Sequence, residues 1–187
     1  MHRIETEIPG VCLIEPVVHG DHRGFFMESY NRDRFRELGI GCDFVQDNHS
    51  RSRAGVLRGL HYQLGRPQAK LVRATCGRVF DVVVDLRLGS PTFTRWVGAE
   101  LSDENRRMLF APEGFGHGFV VLSEVAEFQY KCSDFYAPEE ERGLRWDDPA
   151  LAIEWPLDGG APILSDRDLR WPHLVDAPES DFPRYQP

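Results

Sequence analysis

The sequence predicts an all-β fold, most simply a double-sheet jelly roll with short flanking helices. Three observations carry this expectation. Ten short runs of apolar or alternating residues follow one another, each bounded by Gly, Pro, Asn or Asp. Only two stretches read as helix, and no segment repeats at a fixed period. Many short strands with so little helix bury their apolar faces by closing into a sandwich or barrel.

The first two runs are Val11–Val18 and Gly24–Tyr30. Asn31 then offers its side chain as the cap of a short helix reaching Leu38, with Phe35 and Leu38 on one face and Gly39 to end it. Phe44–Ser50, Val56–Gln63 and Ala69–Cys76 come next. Arg78–Leu86 shows the clearest alternation: Phe80, Val82, Val84 and Leu86 share one face, and Val79, Asp81, Val83 and Asp85 the other. Arg95–Leu101, Arg107–Ala111, His117–Leu122 and Val125–Phe135 complete the set. A second helix is expected near Ser165. From about residue 147 the chain turns irregular and Pro-rich, which predicts a wrap of loops and short helices around the β core of one domain spanning 1–187.

A chain of 187 residues is long enough for one independent core. The formal net charge of −8 disfavours a nucleic-acid partner, since binding a phosphate backbone needs an excess of Lys and Arg. It leaves room for a small phosphorylated ligand, which needs only a local cationic pocket. Cations do cluster, at Arg51, Arg53 and Arg58 and again at Arg66, Lys70 and Arg73; the plain alternative is a solvated strand edge. Cys12, Cys42, Cys76 and Cys132 lie far apart without a CxxC pair, which favours reduced thiols over a disulfide framework. The opening MHRIETEIPG lacks the apolar stretch of a signal peptide, and no apolar run has bilayer-spanning length. The expectation is a cytoplasmic protein with no membrane partner.

Four places could carry chemistry. His61 lies in Arg58-Gly59-Leu60-His61-Tyr62-Gln63, where strict alternation would send Arg58 and His61 to opposite faces. A bulge at Gly59 would turn both inward; otherwise His61 is a histidine satisfied by a neighbour. Pro112-Glu113-Gly114-Phe115-Gly116-His117 resembles the P-x-G-x-x-H motif of the cupin superfamily. The companion H-x-H of metal cupins reads His61-Tyr62-Gln63 here, so a ligand is missing and a metal site is not expected. Tyr130 sits in a strand candidate, where a core aromatic is the simple reading. Asp168 closes Ser165-Asp166-Arg167-Asp168, a capping-box pattern that would account for the carboxylate without catalysis.

Taken together, the segments resemble the dTDP-4-dehydrorhamnose 3,5-epimerase family. The pieces include Asp21–Glu28, Phe44–Ser52, Gly55–Gln63, Val79–Arg87, Gly89–Phe93, His117–Phe119, Trp146–Pro149 and Leu164–Asp168, in family order from about Ile8 to Leu174. The resemblance implies a cupin-type jelly roll that works without a cofactor and forms a homodimer. It implies His61 as the base, Asp168 as the group that hydrogen-bonds its imidazole, and Tyr130 as the acid on the opposite face of the sugar ring. Lys70 would face the developing enolate. Nucleotide and sugar contacts carry over at Arg23, Glu28, Gln46, Asp47, Asn48, Arg58, Lys70, His117, Glu141 and Arg167, with Arg23 and Glu28 reaching in from the neighbouring subunit. Tyr136 is an aromatic suited to stacking near the thymine or the sugar. The implied substrate is a dTDP-4-keto-6-deoxyhexose.

This sequence departs from the family pattern at Gly116, where Ala is usual, at Thr94, where Gly often stands, and at Arg167, where Lys is common. The first two are expected to loosen a loop at most, and either cation serves a phosphate. The implied reaction inverts C3 and C5 of dTDP-4-dehydro-6-deoxy-D-glucose to give dTDP-4-dehydro-L-rhamnose. The alternatives are an epimerase acting at one centre only and a non-catalytic cupin that binds a sugar nucleotide.

Overall fold

A computed structural model describes residues 1–157 and 159–186. Positions 158 and 187, which the one-domain expectation includes, lie outside the described residues. The strands are β1 (His2–Glu5), β2 (Cys12–Glu15), β3 (Val18–Asp21), β4 (Gly24–Met27), β5 (Gln46–Arg53), β6 (Leu57–Gln63) and β7 (Lys70–Cys76). They continue with β8 (Arg78–Asp85), β9 (Trp96–Ser102), β10 (Met108–Ala111), β11 (Phe115–Val121), β12 (Val125–Cys132) and β13 (Glu141–Gly143). A six-stranded sheet runs β1-β2-β10-β7-β12-β5, a five-stranded sheet runs β13-β6-β11-β8-β9, and β3-β4 form a separate hairpin. This is the expected double-sheet jelly roll.

The alternation in β8 explains how the layers stack. Val79 and Val83 face the space between the sheets, where Val72, Leu109, Phe119 and Phe128 meet them. Phe80, Val82, Val84 and Leu86 face the other way, under Leu144, Leu151 and Phe182 of the C-terminal segment. Buried on both faces, β8 reads as a nearly continuous apolar run. A third cluster lies where the six-stranded sheet is covered by the helix α1 (Arg32–Glu37), which buries Phe35 beside Cys12, Ile14 and Phe110. Asn31 caps α1 by accepting from the backbone N–H groups of Asp33 and Arg34, as its residue type predicts.

Several expectations need correction. Val11–Val18 is not one strand: Pro16 and Val17 separate β2 from β3, which turns away into the hairpin. Strands β1 and β13 escaped the sequence reading because they hold one apolar residue and none, whereas β2 and β10, no longer than β1, are mostly apolar. The helix expected from Ser165 is a single 3-10 turn, Asp168–Arg170. The cationic run in β5 and β6 divides between surfaces. Arg51 pairs with Glu127 at 3.0 Å and is exposed, on the strand that forms the sheet edge, whereas Arg58 points inward.

Candidate active site

The bulge at Gly59 is present. His117 of β11 pairs with His61, yet Phe119 pairs with Arg58, so β6 carries one residue more than its partner over this stretch. Gly59 has φ +132°, and a Cβ there would lie 2.5 Å from the Cα of Gly118. Only glycine fits so close an approach. The extra residue puts Arg58 and His61 on the same wall of a cavity between the sheets. Leu60 and Tyr62 meanwhile face the outer core.

The cavity has two connected parts of about 370 and 310 Å3 that share His61, Lys70, Tyr130 and Arg167. Arg58, His117 and Asp168 line the first part; Gln46, Asn48 and Glu141 line the second. Its floor is aromatic, with Phe119 stacked on Phe128 at 4.1 Å. His61 comes from the five-stranded sheet and Tyr130 from the six-stranded sheet. The two groups therefore stand on opposite walls.

His61 Nε2 lies 2.5 Å from Asp168 Oδ1. Ser165 Oγ donates to Asp168 Oδ2 at 2.7 Å and accepts from the Asp168 backbone N–H at 3.1 Å. The capping pattern is thus half real: Ser165 holds the turn, but the carboxylate's other oxygen is spent on His61. Burial alone would raise the Asp168 carboxyl; the His61 hydrogen bond and charge, Ser165 and Arg167 outweigh it and hold the group below its ordinary value. An ionised carboxylate only accepts, so His61 Nε2 carries the hydrogen and Nδ1 keeps the basic lone pair.

Tyr130 is pushed above the ordinary phenol value, chiefly by burial and then by Cys132, against the opposing charge of Arg58. It therefore stays protonated and able to donate. Burial pushes the Lys70 ammonium down, countered by Cys132, Glu141 and Asp81, and its Nζ reaches the His61 carbonyl at 3.5 Å. His117 is buried, with Nε2 within 3.0 and 2.9 Å of the two oxygens of Asp81. Ser52 Oγ holds the Arg58 guanidinium at 3.1 Å. At the mouth, Arg167 donates to Glu141 at 2.5 Å and Tyr136 O–H donates to the same oxygen at 3.0 Å. Gln46 donates to Asn48 at 3.1 Å, as their shared strand parity predicts.

Three of the anticipated contacts lie elsewhere in this chain. Asp47 has the opposite parity to Gln46 and Asn48; it points out of the cavity and pairs with Lys131 at 2.8 Å. Arg23 lies in the β3-β4 hairpin, exposed and held by Asp21. Glu28 follows the hairpin and pairs with Arg34 at 3.2 Å. Sequence reasoning missed the roles of Asp81, Ser165 and Ser52 as partners of His117, Asp168 and Arg58. Asp81 left a signal, an acid alternating with valines in a buried strand. Ser165 left one in the capping-box pattern, which announced its bond to the Asp168 backbone but not the one to the carboxylate. Ser52 left none.

A family model described as dTDP-4-dehydrorhamnose 3,5-epimerase matches residues 5–176. The chain is 61% identical to the dTDP-4-dehydrorhamnose 3,5-epimerase of Pseudomonas aeruginosa over 178 residues, which cover 95% of this chain and 98% of the relative. Its structure is similar to that of the dTDP-6-deoxy-D-glucose-3,5-epimerase of Legionella pneumophila solved with dTDP-4-keto-L-rhamnose. That similarity has a TM-score of 0.97 at 52% identity, over 100% of this chain and 99% of the other. A 3'-monoepimerase of Streptomyces bikiniensis, solved with dTDP-quinovose, is similar at a TM-score of 0.91 and 39% identity, over 100% and 94% of the two chains. With a match along nearly its whole length, and relatives of this identity covered almost end to end, the chain belongs to the dTDP-4-dehydrorhamnose 3,5-epimerase family.

Proposed function

We propose that this protein epimerises C3 and C5 of dTDP-4-dehydro-6-deoxy-D-glucose to give dTDP-4-dehydro-L-rhamnose, in dTDP-L-rhamnose biosynthesis. The observation that carries the reading is the placement of His61 and Tyr130 on opposite walls of one cavity. Inversion beside a ketone needs a base on one ring face and an acid on the other. His61 Nδ1 takes the proton next to the C4 ketone, and the imidazolium that forms is stabilised by ionised Asp168 at 2.5 Å. Charge builds on the ketone oxygen as the enolate forms, and Lys70 supplies the positive charge for it. Tyr130 returns a proton from the other wall, which inverts the centre; once His61 has released its proton to solvent and the Tyr130 phenolate has regained one, the same groups act at the second carbon.

Arg58 and Arg167 supply donors for the diphosphate, and Gln46, Asn48, His117 and Glu141 polar contacts for the nucleoside and sugar. Arg23 and Glu28, remote from the cavity of their own chain, complete the site of a second subunit in a cytoplasmic homodimer. The exposure of Phe25 and Phe26 in the same hairpin, 55% and 72%, supports that arrangement. No helix among the described residues is long and apolar enough to cross a membrane.

The experiment is incubation with dTDP-4-keto-6-deoxyglucose in D2O, followed by NMR of the sugar ring. Deuterium at both C3 and C5, with a product that a partner reductase converts to dTDP-L-rhamnose, is the expected result. The similarity to a 3'-monoepimerase favours a second reading, inversion at C3 alone, and deuterium at that carbon only would establish it. No deuterium at either carbon would leave a protein that binds sugar nucleotides without turning them over.

A further inference from the structure

The His61–Asp168 pair has a neighbour that the mechanism does not use. Trp171 follows the 3-10 turn carrying Asp168, and its indole meets the His61 ring at 6.2 Å between centroids, with 61° between the planes. It lines neither part of the cavity, so it stands behind the imidazole rather than over the substrate space. Room for it comes from Gly143, the β13 residue paired with His61. A Cβ at Gly143 would fall 2.6 Å from Trp171 Cε2, inside any tolerable contact. Bare backbone at that position is what lets the indole lie against the sheet edge beside His61.

The backbone on both sides of Trp171 is held by its own segment. Arg145 N–H donates to the Pro172 carbonyl at 3.0 Å, and Arg170 N–H to the Arg167 carbonyl at 3.0 Å. Ile163, upstream, is tied to β6 by the hydrogen bond from Leu57 N–H at 3.0 Å. His61 is thus gripped on two sides by one short stretch, by a carboxylate at Asp168 and by an aromatic wall at Trp171.

We propose that Trp171 is a positioning residue for the base: it fixes the plane of the His61 ring and keeps water from the side of the imidazole turned away from the substrate. This rests on the epimerase reading, in which His61 removes the proton. A hydrogen bond restrains an imidazole at one atom and leaves it free to rock about that point; a wall against its edge removes the motion. Proton abstraction is sensitive to such misalignment, and displacements near 1 Å cost up to about a hundredfold in rate. Trp171 touches no part of the substrate space, so its removal should slow the chemical step and leave binding alone.

The test compares wild type with Trp171→Ala, Trp171→Leu and Trp171→Phe in D2O wash-in, steady-state turnover and dTDP affinity, with thermal melting to establish folding. Trp171→Ala and Trp171→Leu should each lose about tenfold in kcat and in wash-in rate, with KM and dTDP affinity within about twofold of wild type. Trp171→Phe, which restores a flat ring, should recover most of that loss. If the alanine variant does not fold, the leucine variant, which keeps most of the apolar bulk, carries the comparison. Unchanged kcat in a folded variant overturns the proposal, as does a loss that falls mainly on KM, or a phenylalanine variant no better than leucine. Failure of the epimerase reading is separately visible, because wild type itself would then show no wash-in.

Discussion

His61 and Tyr130 reach the cavity from different sheets, and this separates the consequences of substituting them. Removing the imidazole removes the group placed to take the proton and to share it with Asp168, so His61→Ala should lower kcat by about a thousandfold or more. Tyr130→Phe keeps the ring against Phe128, 6.2 Å away, and deletes only the hydroxyl. Product formation should fall by at least tenfold, while exchange of the substrate proton with solvent, catalysed by His61 alone, falls much less. Equal loss of exchange and product in D2O would contradict the division between base and acid. The side-chain types at these positions were legible in the sequence as possibilities only. A histidine and a tyrosine in strands are ordinary core residues until the fold brings them to one cavity, and it was the ordered family resemblance that named them.

At the scale of the element, the turn between β8 and β9 carries Thr94, one of the three positions where the sequence departs from the pattern of the family it resembles. Thr94 has φ +68°, a left-handed conformation that a β-branched residue adopts at a cost, and its N–H is fixed by the Asp85 carbonyl at 2.8 Å. Strain of about 1–2 kcal/mol is relieved by glycine and partly offset by the larger chain entropy that glycine loses on folding. Thr94→Gly should therefore stabilise the protein by about 0.5–1 kcal/mol and raise Tm by about 1–4 °C, with kcat unchanged. A lower melting temperature would mean that the threonine side chain contributes more than its backbone costs. The element itself was readable from sequence, since Gly89-Ser90-Pro91 announces a turn, but the sign of φ at Thr94 was not. The period-two pattern placed both faces of β8 correctly, because a strand's side chains alternate whichever faces are buried. β1 and β13 carry too few apolar residues for any period to show.

Over the whole molecule, two buried carboxylates held by hydrogen bonds, Asp85 and Asp168, are arranged to fail in acid. Asp85 accepts two hydrogen bonds from the Arg87 guanidinium at 2.8 Å and one each from Ser90 and Thr92 at 2.6 Å. Burial works to raise its carboxyl, and these four bonds, with a fifth from the Arg87 backbone N–H at 3.0 Å, hold it below the ordinary value. Asp168 is lowered in the same sense. A carboxyl depressed in the folded state contributes stability in full above its unfolded value of about 3.9 and loses it as pH falls through the folded value. The stability of the protein should therefore be level with respect to these two groups near neutrality and decline below about pH 4. Asp85→Asn should cost about 3 kcal/mol at pH 7, because Arg87 loses its charge partner, and should flatten the acid decline seen in denaturant titrations. An unaltered acid limb in that variant would show that Asp85 does not contribute to it.

The last strand ends at Gly143, yet the imidazole of His61 finds its carboxylate 107 positions further along the chain, in a segment that belongs to neither sheet. During synthesis both sheets can close before Asp168 and Trp171 have emerged to complete the base. Architecture and competence are thus acquired at different times, the first by strands pairing and the second by a late arrival docking against β6. An assay for turnover monitors that docking, whereas a circular dichroism spectrum monitors the sheets, and the two can part company in any chain whose final segment is displaced.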